Sequence, residues 1–168
     1  MPLKLPPFEL ERWYAQYEFN VKHNISASCA AATGTADLLK LAGSEAREEY
    51  CRLNLDYTQN PGDPALRRAL SGLYPGLGPE DIQVTTGASE AILLVMAALL
   101  HPGDTVIVED PIYQSLHEVA RACGARIKRW TLEEADGFRP DLDRLAALID
   151  SETRLVIINH PHSPTGAM

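Results

Sequence analysis

The sequence has few cysteines, no excess of basic residues and no long apolar run. Its three cysteines, Cys29, Cys51 and Cys123, are odd in number and widely spaced, without a CxxC pair. This set predicts no disulfide framework and favours a reducing, cytoplasmic compartment. The formal net charge of −8 argues against a nucleic-acid or anionic-membrane partner, because both reward a basic face. The longest apolar run, 91–100, is too short to span a bilayer, and residues 1–19 lack the apolar core of a signal peptide.

The sequence does contain a regular alternation of strands and helices from residue 82 onward. Strands are predicted over 82–86, 105–109, 126–131 and 155–159, and helices over 89–100, 112–123 and 142–149. This alternation predicts an α/β fold with a mostly parallel sheet and helices on both faces. With 168 residues, 45% of them apolar, the chain is long enough to bury a hydrophobic core.

The pattern before residue 82 is less regular. We predict an irregular arm over 1–7, a helix over 8–19, a loop over 20–36 and a helix over 37–50. The first helix carries an apolar stripe formed by Leu10, Trp13, Tyr14 and Tyr17. Either this stripe faces an ordinary core, or the helix packs on a second subunit or closes over a site. Asp63 followed by Pro64 predicts the N-cap and first position of a third helix.

A short joint of small residues, Gly87, Ala88 and Ser89, connects the first predicted strand to its helix. Backbone N–H groups in the first turn of a helix have no intrahelical partners, and the helix dipole adds positive potential there. The glycine permits a sharp turn, and the Ser89 hydroxyl can donate one more hydrogen bond. The joint therefore fits a phosphate group; the alternative is that Ser89 only caps the helix and nothing binds. Neither a P-loop nor a GxGxxG motif is present.

Two further segments leave the predicted sheet at the same edge. Tyr113 follows the strand of "VIVED", where its ring can either stack on a flat ligand or be buried as a packing residue. Ser163 lies in the proline-rich loop "HPHSPTG" after the last strand. This loop also holds His160 and His162, but no cysteine or carboxylate pattern completes a metal site, so we predict none.

The segments "VTTGASEAI", "EDPIY", "INHPHSPTG" and the upstream "YTQNPGDPALRRAL" together resemble class I/II aminotransferases, which are fold-type I enzymes dependent on pyridoxal 5′-phosphate (PLP). The resemblance implies that residues 51–168 form the first part of the PLP-binding large domain and that 1–50 form an N-terminal arm with helices. It also implies amino-acid and 2-oxo-acid substrates and a homodimer. "FELERWYAQYEF" and "ISAS" further resemble PLP enzymes of the capreomycidine synthase type, which cyclise arginine-derived amino acids.

The resemblance assigns cofactor contacts to six residues. They are Gly87, Ala88, Ser89, Tyr113, Ser163 and Tyr57. Ala88 and Ser89 bind the phosphate beside the turn at Gly87, Tyr113 stacks on the pyridine ring, and Tyr57 reaches the phosphate of the partner subunit's cofactor. Ser163 stands where the family's "NPTG" has the asparagine that hydrogen-bonds the ring oxygen O3′. A serine hydroxyl can still donate, but its reach is shorter.

The catalytic lysine of this family is not recognisable in the chain. The four lysines, Lys4, Lys22, Lys40 and Lys128, lie outside any segment resembling the family's Ser-x-x-Lys. In the family this lysine, the aspartate that pairs with the pyridine nitrogen and the arginine that binds the substrate carboxylate all follow "NPTG". We therefore expect an N-terminal part of a longer enzyme, inactive alone, with the 155–159 strand central in a sheet whose neighbours are missing. The alternatives are a PLP-dependent lyase or cyclase of the same fold, or a non-catalytic remnant.

Overall fold

The computed structural model describes residues 4–26 and 28–168 and divides into two compact units. One unit combines the described part of Met1–Ala15 with Thr85–Met168, and the other is Gln16–Val84. The start of the predicted arm and Ala27 of the "ISAS" segment lie outside the described residues. No helix in the described ranges has the length and apolar character needed to cross a bilayer.

A parallel three-stranded sheet organises the first unit. Its strands are β1 (Thr105–Asp110), β2 (Arg126–Thr131) and β3 (Thr153–Ile157), in the spatial order β2-β1-β3. Val106 pairs with Ile127 on one side and with Leu155 on the other. The central position of β1 explains its continuous burial from Thr105 to Glu109, since a strand covered on both faces has no solvent-facing positions.

In the described residues the α-helices are α1 (Glu9–Tyr17), α2 (Thr35–Arg52), α3 (Pro64–Ser71), α4 (Ala88–Leu99), α5 (Gln114–Ala122) and α6 (Leu142–Leu148). Of these, α4, α5 and α6 cover the two faces of the sheet, as the sequence predicts. Val106 and Val108 point to one face, in a core with residues of α4 and α5. Ile107 points to the other face, where Trp130 and residues of α6 complete a second core. The mostly parallel α/β architecture is confirmed, and the two cores follow from the alternation of side chains along β1.

The second unit is built around two helices with clear sequence signals. In α2 the glycine at position 43 has φ +93° and ψ 176°, so the helix is kinked there. The predicted cap of α3 is confirmed, because Asp63 Oδ1 accepts hydrogen bonds from the backbone N–H groups of Ala65 at 2.8 Å and Leu66 at 3.0 Å. The turn that precedes this cap packs closely, since Gly62 is buried and Val84 N donates to Pro61 O at 2.9 Å.

Two strand predictions need correction. Residues 82–86 form no strand, because within the described ranges they have no neighbouring strand with which to form a ladder. The last strand spans Thr153–Ile157 rather than 155–159, and it lies at the edge of the described sheet instead of its centre. Both predictions inferred a strand from β-branched composition alone. Composition does not specify which segments pair as neighbouring strands.

The apolar stripe of α1 does not face an ordinary core. No residue of this helix is buried, and Leu10 and Trp13 are 44% and 49% exposed. The interpretation as a core-facing helix is therefore wrong. The alternatives, that the helix packs on a second subunit or closes over a site, remain predictions, and the start of α1 contacts Tyr113 and Gln114.

Candidate functional site

The N-terminus of α4 and the exit loops of β1 and β3 share the carboxyl edge of the sheet. Arg154, near the start of β3, donates through Nε to Leu99 O at 3.1 Å, so α4 ends at the amino edge. A 12-residue helix is about 18 Å long, close to the length of a six-residue strand. Because α4 packs along β1, it begins at the opposite edge. That edge is where open α/β sheets bind ligands.

The joint before α4 is open and lacks a side-chain cap. Gly87 is the N-cap, with φ +90° and ψ 165°, a conformation that is essentially restricted to glycine. A Cβ built on it would meet no atom within 4 Å. Ser89 is exposed and occupies the second helical position, so it does not cap the helix, contrary to the simpler interpretation of the sequence. The first-turn N–H groups of Ala88, Ser89 and Glu90 therefore have neither an intrahelical partner nor a side-chain cap from the N-cap residue.

Local polar contacts hold this joint in shape. Glu90 Oε2 accepts a hydrogen bond from the backbone N–H of Thr86 at 2.5 Å, which ties the third helical position back to the entering chain. Thr85 Oγ1 donates to Gly87 O at 3.1 Å. These two bonds fix the chain before and after the glycine without using the first-turn N–H groups of α4.

Tyr113 is the N-cap of α5 and is held by residues at the start of α1. Its hydroxyl donates to Glu11 Oε1 at 2.7 Å, and its ring centroid lies 4.9 Å from that of Phe8. The neighbouring Gln114 accepts from Glu9 N at 3.1 Å and donates to the carbonyl oxygen of residue 7 at 2.9 Å. The tyrosine is only half-buried, which argues against a purely packing role. The sequence interpretation missed this contact because its partners are about a hundred residues apart in the chain.

Burial, and next the hydrogen bond to Glu11, raises the pKa of the Tyr113 phenol to about 12 from its ordinary 10.0. Phenol ionisation beside a carboxylate is unfavourable, so the neutral donor form is retained. The resulting contribution to folding stability is present below pH 10.0 and is lost as the pH rises through about 12.

Replacing Glu11 with glutamine should lower the pKa of Tyr113 towards 10.0 but not fully, because the burial is unchanged. The measurement is the phenolate absorbance of the variant during alkaline titration, with the Tyr113→Phe protein subtracted to isolate this phenol. Glu9→Gln is the matched control, because Glu9 contacts Gln114 only through its backbone. A pKa unchanged by Glu11→Gln, or lowered equally by Glu9→Gln, would contradict the assigned pair.

The loop after β3 carries Ser163 at the same edge. Ser163 is exposed, and its carbonyl oxygen accepts from Asn159 Nδ2 at 3.3 Å. Inside the loop, His162 is 2% exposed, and its Nδ1 lies 2.7 Å from Thr165 Oγ1. Gly166 N donates to His162 O at 2.6 Å. In the described residues no three His, Cys, Asp or Glu side chains converge as metal ligands would.

Tyr57 belongs to the other unit, Gln16–Val84. Its side chain is fully exposed, and its backbone N–H donates to Asp56 Oδ1 at 2.7 Å. A tyrosine so exposed is available to a molecule outside its own unit. Its assigned role across a dimer stays a prediction.

Comparisons with known proteins agree on one family. The family model of aminotransferase class I and II matches residues 28–168. Capreomycidine synthase of Streptomyces vinaceus is 39% identical over 168 residues, which cover 99% of this chain and 43% of the synthase.

Two solved structures share the fold. A PLP-dependent aminotransferase from Streptococcus suis has a TM-score of 0.89 at 35% identity, covering 96% of this chain and 44% of its own. The PLP-dependent cyclase OrfR has a TM-score of 0.83 at 33% identity, covering 98% and 43%. The chain thus spans less than half the length of these proteins. With a family match over most of its residues and the same fold, the chain belongs to the aminotransferase class I and II family.

Proposed function

We propose that this chain supplies the phosphate-binding and ring-binding part of a PLP-dependent aminotransferase, which moves an amino group from an amino acid to a 2-oxo acid. The observation that carries the proposal is the uncapped N-terminus of α4, with Gly87 and Ser89 open at the carboxyl edge of the sheet. Membership of the aminotransferase family suggests that the anionic group bound at this edge is the phosphate of PLP.

The residues present fit the PLP phosphate. A phosphate needs several donors that converge without intervening side chains, and the joint offers first-turn N–H groups, the Ser89 hydroxyl and the empty space beside Gly87. Of the nearby acids, Asp110 is paired with Arg129 Nη1 at 2.6 Å, which reduces its repulsion of an anion. The net charge of −8 is therefore compatible with local anion binding.

The residues of this chain hold the cofactor in place, and the proposal assigns none of them the proton transfer. When bound, the pyridine ring of PLP supplies an electron sink for the charge left on the substrate's α-carbon. Ala88 and Ser89 anchor the phosphate, so the ring cannot shift along the edge. Tyr113, clamped by Glu11, offers a ring face for stacking, and Ser163 donates to the ring oxygen O3′.

The catalytic lysine of the proposed reaction comes from outside these residues. Lys128 is the lysine of the sheet, and its Nζ donates to Asp150 Oδ2 at 2.6 Å and to Leu148 O at 2.9 Å. The hydrogen bond from Lys128 lowers the pKa of Asp150, as expected for an ammonium–carboxylate pair. A lysine held in this way cannot act as a free amine nucleophile or base.

We include a homodimer in the proposal, with Tyr57 serving the partner site.

Ser89→Ala should weaken PLP affinity about tenfold in the full-length protein, since one hydrogen bond to a charged phosphate is lost. The dissociation constant is measured by equilibrium dialysis against PLP, with urea unfolding of the cofactor-free protein to show that the fold is intact. Ser71→Ala, in α3, is a matched serine control that should bind as wild type does. Unchanged affinity in Ser89→Ala would refute the phosphate assignment.

Cyclisation is the second candidate function. It is supported by two matches that cover nearly the whole chain, to capreomycidine synthase and to the cyclase OrfR. The two reactions differ in their products, because transfer yields a 2-oxo acid and a new amino acid, whereas cyclisation keeps the nitrogen within one product. Mass spectrometry of the products made by the full-length protein from amino acids with and without a guanidinium group separates them.

A further inference from the structure

Glu109 is a fully buried carboxylate on the central strand, outside the set of residues assigned to the cofactor. It is 0% exposed and follows the apolar residues Val106, Ile107 and Val108. Burying a charge is costly unless each of its oxygens is paired. An aliphatic residue at this position would be buried without the cost of removing a charge from water, so the presence of an acid suggests a specific role.

Both oxygens of Glu109 bind the start of the loop after β3. Oε2 accepts the backbone N–H of Asn159 at 2.8 Å. Oε1 lies 2.7 Å from His160 Nε2, and the two atoms form a hydrogen bond in the tautomer that carries the hydrogen on this nitrogen. One side chain of β1 thereby grips two consecutive residues of the neighbouring exit loop.

This grip continues to Ser163. Asn159, whose N–H is held by Glu109, donates through its own Nδ2 to the carbonyl oxygen of Ser163 at 3.3 Å. Glu109 is also followed by Asp110 and the segment that leads to Tyr113. The same carboxylate therefore precedes the loop that carries Tyr113 at the end of its own strand, and it binds the loop that carries Ser163 at the end of β3.

We propose that Glu109 is a positioning residue that sets the loop of Ser163 against the end of β1 and so aligns the two ring contacts of the PLP site. The inference rests on the proposed function for its ligand. A merely structural acid would affect folding alone, whereas a positioning acid affects cofactor affinity even when the protein stays folded. Glu109→Leu keeps the core filled but leaves the Asn159 N–H and His160 without their partner, which lowers stability, so cofactor affinity is measured on protein that urea unfolding shows to be folded.

The test compares Glu109→Leu with Glu109→Gln in the full-length protein. We expect Leu to raise the dissociation constant for PLP about tenfold, the equivalent of one charge-assisted hydrogen bond, and to accelerate amide exchange at Asn159 in the cofactor-free protein. Gln keeps both contacts, if His160 changes tautomer, and should restore affinity to within about threefold of wild type. Thr105→Val is the matched control, because it alters a buried polar residue on the same face at the far end of β1.

His160→Ala provides a second variant should Glu109→Leu fail to fold, since the His160 side chain is 28% exposed. It removes one of the two contacts and should weaken PLP binding about threefold. Wild-type affinity in a folded Leu or Ala variant, or an equal loss in Thr105→Val, would overturn the positioning role. Failure of the wild-type protein to bind PLP would overturn the proposed function itself, and amide exchange at Asn159 would still report whether the grip exists.

Discussion

Replacing Ser89 with aspartate should reduce PLP affinity by at least about 100-fold without destabilising the cofactor-free protein. Two unit charges about 4 Å apart repel by about 4 kcal/mol at the effective dielectric constant of a protein surface, and the phosphate carries more than one charge. In the absence of a ligand the same carboxylate lies in the first turn of α4, where the helix dipole favours it by about 0.5 kcal/mol. Affinity and stability should therefore move in opposite directions, which general damage to the fold cannot produce.

The measurement pairs PLP equilibrium dialysis with urea unfolding of the same cofactor-free protein. Ser89→Asn tests shape without charge and should bind far better than Ser89→Asp. Ser44→Asp adds the same charge to an exposed serine of α2 and should leave the affinity unchanged. The phosphate assignment fails if Ser89→Asp binds PLP as tightly as Ser89→Asn does.

Replacing Gly62 with alanine should lower the free energy of unfolding by about 3 kcal/mol. Gly62 has φ +113°, which is strained for any residue with a Cβ. An added Cβ would also lie 2.5 Å from Val84 Cγ2 and 2.7 Å from Val84 Cβ, so the chain must move apart at a buried position. The loss is measured by urea unfolding, and it combines backbone strain with overpacking.

Two variants separate these contributions. Gly76→Ala, in the same unit, has φ +87° but no atom within 4 Å of the added Cβ, so it should cost about 1–2 kcal/mol from strain alone. In the Gly62→Ala protein, adding Val84→Gly should restore part of the stability, giving a coupling energy of about 1 kcal/mol in the double-mutant cycle. Equal losses in Gly62→Ala and Gly76→Ala, or no coupling with Val84, would show that the close contact is not the cause.

Local signals predicted the elements of this fold well where one residue type has one physical use. Asp63 before Pro64 marked the start of α3 for two reasons. The carboxylate accepts hydrogen bonds from first-turn N–H groups, and a proline at the first helical position has no N–H that needs a partner. The predicted strand 126–131 coincides with β2. Prediction failed where strand formation depends on pairing with a distant segment. Residues 82–86 have strand composition but no neighbouring strand within the described ranges.

The candidate site divides in the same way. The joint at Gly87 and Ser89 was predictable, because small residues between a strand-like segment and a helix indicate that the first-turn N–H groups are accessible. The environments of Tyr113 and Glu109 were not, because their partners Glu11 and His160 lie 102 and 51 residues away in the chain. A sequence pattern of short range contains no information about such contacts.

The sequence by itself determined the α/β class, the family resemblance and the small-residue joint, since hydrophobic period, turn residues and motif order are local properties. Only the tertiary structure decided that β1 is central, that α1 leaves its stripe exposed and that a buried Glu109 grips the loop of Ser163. The physical reason is that strand order and buried charge pairs depend on which distant segments pack together. Those contacts are chosen by the free energy of the whole fold, not by any one stretch of the chain.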